Sequence, residues 1–374
     1  MANVLLRSPY HISEDIGSNK SAKLEITIDG TLAYTIIKNK TSSSDYVLFE
    51  ISELVRDYID IKYNGTTTPS DFSVVVSYDL TEYAEINGTG APTTPVTTTF
   101  FGIDGYGYFE EGSNSSVTKG YMQSNNTIYT LYGEDLRIPV DRNNTTSVTY
   151  LYKGSQTFTK AITSSSTEVF EYIDATDSFK ERVTEDCAVN GCGIYEENTC
   201  INSFLQNNDL YLVDKVVILT PSETKIVDVI TLDECKYEPK KVSFINRWGA
   251  LQDLWFFKKS VESMNVEKVS YKSNILGYDG TYSTSNHVNR DFNVVGKESV
   301  TLSSGFLDEE YNKVFKEMML SEKVWVTNIT EDGEQVLPIN VKTGEITYKT
   351  SLNDKLVQYT IEFDKSFDTI NNIR

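Results

Sequence analysis

The sequence contains no long hydrophobic run. Its apolar stretches, such as Leu254–Phe257 and Val216–Leu219, are far shorter than the roughly 18 residues that a membrane-spanning helix needs. The first residues also lack a basic segment followed by an apolar stretch of about 7–15 residues, which is the pattern of a secretory signal. We therefore expect a chain without membrane spans that is made and kept in a cytoplasm.

Basic charge is scarce. The chain has 34 Lys and Arg residues against 54 Asp and Glu residues, which gives a formal net charge of −20 at pH 7. Such a balance repels the phosphate backbone of nucleic acids and the headgroups of anionic lipids. We therefore expect no specific nucleic-acid binding and no membrane binding.

Groups and motifs for catalysis are also scarce. The chain has two histidines, His11 and His287, both in polar, loop-like surroundings. The glycine-rich phosphate and dinucleotide motifs, the serine nucleophile elbow and the HExxH zinc motif are missing. Neighbouring carboxylates, such as Glu196 and Glu197, are ordinary in a chain with 54 acidic residues. We predict that the protein is not an enzyme and needs no cofactor.

Alternation of apolar and polar residues is the dominant pattern that the sequence does show. Over residues 23–36 it is broken only at Asp29-Gly30, a strong signal for a two-residue hairpin turn, because both turn residues must tolerate positive φ. Similar runs predict strands over Ser73–Tyr78, Ser147–Tyr152, Leu210–Leu219, Lys225–Leu232, Val300–Leu302 and 357–364. Many short strands separated by turns favour an all-β fold of antiparallel β-sandwich domains, immunoglobulin-like or similar.

Two short helices and a domain boundary complete the predicted organisation. Apolar residues at helical spacing predict one helix over residues 51–59 and another over about 306–320. A chain of 374 residues exceeds the roughly 250–300 residues of one core, so we expect an N-terminal region 1–235 and a C-terminal domain 236–374. A weaker subdivision of the N-terminal region falls within residues 90–180.

The four cysteines are clustered in a polar part of the chain. Three of them lie within residues 176–209 and the fourth follows shortly before the predicted boundary: Cys187, Cys192, Cys200 and Cys235. Four thiolates could bind a tetrahedral zinc, but no CxxC pair is present. Reduced thiols in a cytoplasm, a zinc site, and a disulfide formed after release from the cell are the three alternatives, and we predict the first, without a metal.

The segment Lys241–Lys259 is the most unusual. It predicts a strand, a turn at Asn246–Gly249 with Gly249 in the left-handed region, and a second strand that is apolar on both faces. Such a strand must be covered on both sides. An ordinary core strand, an aromatic anchor at a subunit interface and a sugar-stacking platform are the alternatives. The candidate interface residues of this segment are Arg247, Trp248, Trp255, Phe256 and Phe257.

A second aromatic cluster alternates rings with glycine over residues 100–109. Glycine lets the backbone turn or approach closely, so the cluster is either an exposed hairpin tip used for contact or an internal hairpin. Its candidate interface residues are Phe100, Phe101, Tyr106 and Tyr108.

Four segments together resemble virion structural proteins of bacteriophages that infect Bacteroidetes-type bacteria. They are RSPYHISED, FEISELVRDYID, ECKYEPKKVSFINRWGALQDLWFFKK and the C-terminal LPINVKTGEITYKTSLNDKLVQYTIEFDKSFDTINNIR. The chain is most similar to the tail-barrel or ring proteins of crAss-like podoviruses, over about residues 1–60 and 233–374. The resemblance implies β-sandwich domains assembled as homo-oligomeric rings beneath the portal, without catalysis, and implies no functional residues.

The expected function is therefore that of a phage tail or ring subunit around the DNA channel, located in the virion tail and made in the host bacterial cytoplasm. Its expected partners are other copies of itself and the portal or other tail proteins. An acidic channel wall would let DNA slide without binding it. The alternative is a receptor- or carbohydrate-binding β-sandwich module of a phage tail; a glycan-cleaving enzyme would need paired carboxylates or a histidine in a cleft.

Overall fold

A computed structural model describes the chain except residues 42–43, 132–135, 154–156, 175–211, 233, 235, 331–332, 347–355 and 371–374. The described residues form 24 strands and two α-helices. The strands are β1 Asn3–Leu5, β2 His11–Asp15, β3 Ser21–Ile28, β4 Thr31–Asn39, β5 Tyr46–Glu50, β6 Ser73–Tyr83, β7 Val96–Ile103, β8 Ser116–Val117, β9 Thr127–Leu131, β10 Arg137–Asp141, β11 Ser147–Tyr152, β12 Thr157–Ala161, β13 Phe170–Asp174, β14 Val213–Leu219, β15 Thr224–Leu232, β16 Lys240–Ile245, β17 Leu251–Phe256, β18 Val261–Lys272, β19 Asn289–Ser303, β20 Leu307–Asp308, β21 Val324–Thr330, β22 Gly333–Val341, β23 Leu356–Val357 and β24 Thr360–Lys365. The helices are α1 Ser52–Arg56 and α2 Tyr311–Met319.

Three larger sheets organise these strands. Their strand orders are β4-β3-β6-β7-β1-β8, β12-β11-β14-β15-β9 and β17-β16-β21-β22-β24-β19-β18. Pairing is antiparallel throughout the described residues except at β1 with β7 and β9 with β15, which are parallel. The prediction of a β-rich, antiparallel fold with two short helices is confirmed. The two parallel pairs join strands that are distant in sequence, so local alternation could not indicate their direction.

Three clusters of buried apolar side chains form the cores. The first packs under the β1–β8 sheet, the second between the β16–β24 sheet and α2, and the third around the β9–β15 sheet. The first cluster also takes Ile245, Trp248, Leu251 and Trp325 from the chain beyond residue 235. The division at residue 235 stays a prediction.

The Asp29-Gly30 turn joins β3 to β4 as the sequence predicts. Both residues have positive φ, 47° at Asp29 and 80° at Gly30. Asp29 also accepts a hydrogen bond from the backbone N–H of Val75 at 2.9 Å, which ties the turn to β6. The turn therefore sets the register of the two pairs beside it, Ile28 with Thr31 and Thr27 with Leu32, before an irregularity shifts the pairing by one residue at Ile26.

Replacing Gly30 with alanine should lower the free energy of unfolding by about 1 kcal/mol, because a Cβ disfavours positive φ. Space is not the cause, since a Cβ at Gly30 would meet no atom within 4 Å. Urea unfolding of Gly30→Ala beside Gly344→Ala, which adds a Cβ in open space without a positive φ, measures the difference. Equal midpoints for the two variants would contradict this account.

Both helices are shorter than the sequence predicts. After α1 the buried residues Ile59, Ile61 and Tyr63 alternate with exposed Asp60 and Lys62, so the chain has already left the helical period. Residues 306–310 are likewise outside α2, because Leu307–Asp308 pair instead with Leu356–Val357 as β20 and β23. The predicted apolar stripe of α2 is buried at Tyr311, Val314, Phe315 and Met318.

Candidate functional site

Most of the candidate interface aromatics lie inside the chain's own cores. Phe100 and Phe101 belong to the first core cluster, and Trp255, Phe256 and Phe257 to the second. Each is at most 4% exposed. The interpretation of these five residues as anchors for another subunit is therefore corrected, because the last four residues of β7, most of β17 and Phe257 are buried within one chain. The alternative of ordinary core strands describes them.

The turn between β16 and β17 brings the remaining residues of that segment to a cleft. Asn246 closes the turn through its side-chain oxygen, which accepts hydrogen bonds from the backbone N–H groups of Trp248 at 2.9 Å and Ala250 at 3.2 Å. Gly249 has the predicted left-handed φ of 75° and donates to the Asn246 carbonyl at 3.0 Å. These hydrogen bonds define the conformation of the turn. Two of its residues, Arg247 and Trp248, line the cleft.

The second aromatic cluster folds against this turn. The backbone N–H of Tyr106 donates to the Arg247 carbonyl at 2.8 Å, and the N–H of Gly107 donates to the Ser8 hydroxyl at 2.9 Å. Asp104 is buried and forms a 2.7 Å ion pair with Arg56. Beyond the end of β7 the cluster is a loop that packs against the turn, in which Tyr106 is buried and Tyr108 is partly exposed at the cleft. Phe109, the last ring of the cluster, is 97% exposed.

Arg247 is the central cation of the cleft. Its guanidinium lies 4.3 Å from the ring centre of Tyr108 and 4.0 Å from that of Trp248. One of its terminal nitrogens also donates to both carboxylate oxygens of Glu111, at 2.6 and 2.7 Å. Although partial burial opposes the effect, these hydrogen bonds hold the pKa of Glu111 below its usual value.

The cleft has a volume of about 530 Å³ and lies where connections of all three larger sheets meet. Its walls are the 104–111 loop, the segment before β9, the β14–β15 and β16–β17 turns, and helix α2. Four lysines line it besides Arg247: Lys119, Lys225, Lys313 and Lys316. Lys316 lies 4.0 Å from the Tyr108 ring centre, and Lys119 lies 5.0 Å from the Trp248 ring centre. The cleft therefore combines cations with aromatic faces.

Glu317 is a buried acid in the wall of this cleft. It lies on α2, is 1% exposed, and accepts a hydrogen bond from the Ser124 hydroxyl. Burial raises the pKa of Glu317 to about 7, against smaller opposing effects of Ser124 and Arg247. Its second carboxylate oxygen has no hydrogen-bond partner in the described part of the chain.

An exposed arm is the second notable feature. The β18–β19 arm, residues 261–298, extends from the edge of the seven-stranded sheet, and β19 pairs with β24 only from Ser299 onward. All twelve residues of β18 are exposed. The arm's strands carry apolar side chains that are about 40% or more exposed, namely Val261, Met264, Val266, Val269, Tyr271, Phe292 and Val294.

The cysteines and histidines of the sequence lie away from the cleft or outside the described residues. Cys187, Cys192, Cys200 and Cys235 lie outside the described residues. His287 is exposed in the arm, and His11 is in β2. Among the described residues no three His, Cys, Asp or Glu side chains are grouped so that they could hold a metal ion. No helix in the same residues is long and apolar enough to cross a membrane.

Sequence reasoning missed the lysines of the cleft, Glu317 and the arm. The cleft residues come from five separate segments, and nothing local marks them as neighbours. The arm had a weak signal, because Met264 and Val266 alternate with polar residues, as do Val269 and Tyr271. A bulge between Glu267 and Val269 shifts the alternation by one residue and conceals the strand.

Comparisons with known proteins add little to this geometry. No protein-family model and no curated protein matches the chain. Among solved structures, extracellular domains 3–5 of Drosophila OTK align with 79% of this chain and 88% of that chain, at 9% identity and a TM-score of 0.20. A TM-score this low carries no information about function.

Proposed function

We propose that the protein is a non-enzymatic structural subunit of a bacteriophage tail or ring near the portal, and that its β18–β19 arm joins it to another copy of itself. The observation that carries this proposal is the arm, a twelve-residue edge strand exposed along its whole length. The phage assignment comes from the resemblance of the terminal segments to ring proteins of crAss-like podoviruses.

The β18–β19 arm exposes backbone hydrogen-bonding groups and apolar side chains of a kind that a stable monomer usually covers. Within the described residues β18 pairs only with β19, so its outer edge offers unpaired backbone N–H and C=O groups. Natural proteins protect such edges with charge, bulges or short strands, because an open edge pairs with another chain. β18 has one bulge, between Glu267 and Val269, but its twelve residues leave long stretches on either side open to pairing. The exposed Val, Met, Tyr and Phe side chains of the arm add apolar surface that a partner would bury.

Charge favours a second copy as the partner. Residues 261–298 contain four basic and five acidic residues, a net charge of −1, whereas the whole chain carries −20. Two acidic copies would repel each other over most of their surface, but the arm is nearly neutral. Repeated contact between identical neighbours, closed by symmetry, would give a ring. The acidic remainder of the surface would suit a channel through which DNA slides.

Placing charges on the arm should prevent this assembly. Met264 and Val266 are 58% and 43% exposed, so the double variant Met264→Asp/Val266→Asp should fold normally. The two new charges should prevent the apolar contact between its arm and a second copy of the chain. We expect the protein concentration at which half of the protein is assembled, measured by sedimentation velocity, to rise at least about tenfold. This corresponds to a loss of about 1.4 kcal/mol in the free energy of association.

The matched control is Val96→Asp/Ile226→Asp, which charges two exposed apolar residues on strands outside the arm. It should assemble as the unchanged protein does. Unfolding midpoints of both variants show that the fold is intact. A protein that stays monomeric up to about 100 μM, or an arm variant that assembles normally, would overturn the proposal.

A receptor- or carbohydrate-binding module is the second candidate function, and one observation favours it: the cleft around Arg247 is lined by basic, aromatic and uncharged polar side chains. Ligand binding there is compatible with a structural role, because the arm and the cleft share no residues.

A further inference from the structure

The cleft around Arg247 is basic in an acidic protein. Five basic and three acidic side chains line it, whereas acidic residues exceed basic ones by 20 in the chain. None of its four lysines has a carboxylate within ion-pair distance among the described residues, and only Arg247 is neutralised, by Glu111. Cations concentrated in a concave site attract an anion, and they do so most strongly at low salt.

Three buried polar groups in the wall of the cleft have no hydrogen-bond partner among the described residues. The indole N–H of Trp248, the Nε–H of Arg247 and one carboxylate oxygen of Glu317 make no hydrogen bond within the described residues. All three residues are more than nine-tenths buried and line the cleft. A buried polar group without a partner destabilises the fold, so a polar wall of this kind suits a polar occupant.

From these groups we infer that the cleft binds an acidic saccharide, a sugar chain that carries carboxylate groups. Lys119 and Lys316 would hold the carboxylates, and the partly exposed Tyr108 would contact a sugar at its ring edge, because Arg247 and Lys316 already lie over its ring. Trp248 is 8% exposed and carries Arg247 and Lys119 over its own ring, so it supports the wall and does not stack on the ligand. The volume of about 530 Å³ is within the range of small-ligand sites, roughly 300–1,000 Å³.

Acceptors in the cleft favour a sugar over an acidic peptide. Glu223 lines the cleft, and no hydrogen bond or ion pair of its carboxylate occurs in the described part of the chain. Gln123, Ser124 and Asn126 add side-chain amides and a hydroxyl beside it. Each sugar ring offers several hydroxyl donors to such acceptors, whereas an acidic peptide offers one backbone N–H per residue and side chains that only accept when they are ionised. A ligand with both hydroxyls and carboxylates matches the mixed lining.

This inference rests on the second candidate function, carbohydrate binding at the same cleft, and does not depend on the proposed assembly function. Titration calorimetry of the full chain with trigalacturonic acid at low salt should show binding that is at least about tenfold tighter than that of a neutral galactose trisaccharide. Salt should weaken the binding of the acidic trisaccharide, because lysines hold its carboxylates. A hexaglutamate peptide should bind more weakly than the acidic sugar.

The double variant Lys119→Gln/Lys316→Gln should lose at least about tenfold in affinity for the acidic trisaccharide. Its matched control is Lys153→Gln/Lys259→Gln, which removes two exposed lysines outside the cleft and should bind normally. Absence of binding by the acidic trisaccharide, equal affinity for the neutral one, tighter binding of hexaglutamate, or unchanged affinity of the cleft variant would each overturn the inference.

Discussion

Replacing Gly105 with alanine should lower the free energy of unfolding by about 3 kcal/mol, at the upper end of what overpacking usually costs. A Cβ at Gly105 would lie 2.5 Å from the carbonyl oxygen of Arg247 and 2.7 Å from a methyl group of Leu5. The first of these atoms belongs to the backbone and cannot rotate away. The loop and the β16–β17 turn would therefore have to separate.

Separation would break specific bonds. The Arg247 carbonyl accepts the 2.8 Å hydrogen bond from the Tyr106 N–H, and the Gly105 carbonyl accepts one from the Arg7 N–H at 2.8 Å. Urea unfolding of Gly105→Ala measures the loss, with Gly344→Ala as the variant that gains a Cβ in open space. A difference under about 1 kcal/mol between the two variants would show that the loop adjusts without cost.

Local signals in the sequence predicted two turns and fewer than half of the 24 strands that the described residues form. Asp29-Gly30 and Gly249 were identifiable because positive φ is a property of one or two residues. The run Ser147–Tyr152 matches β11 at both ends, since alternation over six residues is also local. The fold class follows from such signals, because it depends on how many short strands the chain contains and not on how they pair.

The candidate site could not be predicted in the same way. The sequence indicated that Trp248 and Trp255 need apolar neighbours, but it could not show whether those neighbours belong to this chain or to another. The structure supplies them from distant segments: Trp255 packs in the second core, and Trp248 contacts Lys119 and the first core. The exposed apolar surface is instead on β18, where a bulge conceals the alternation.

Glu317 gives the second large effect, and its direction depends on pH. Burial raises its pKa from 4.5 to about 7, so the folded protein binds a proton there that the unfolded chain releases above about pH 4.5. The stability linked to this proton is fully present below about pH 4.5 and is lost as pH rises through about 7. A pKa shift of this size corresponds to about 3 kcal/mol in the free energy of unfolding. Above neutral pH the buried charge of Glu317 therefore makes the unchanged protein less stable by this amount than it would be with a neutral side chain there.

The variant Glu317→Gln should remove the cost, because an amide is never ionised and its oxygen can still accept from the Ser124 hydroxyl. Relative to the unchanged protein, the variant should gain little stability at pH 4.5 and about 3 kcal/mol at pH 8 in urea unfolding. Glu110→Gln, which alters an exposed acid of the neighbouring loop, should show the same small difference at both pH values. Comparing each variant with the unchanged protein at the same pH cancels the titration of the other carboxylates. If the gain of Glu317→Gln were equal at pH 4.5 and pH 8, its carboxyl group would titrate normally in the fold, and burial beside Arg247 and Lys313 would be balanced by their charges.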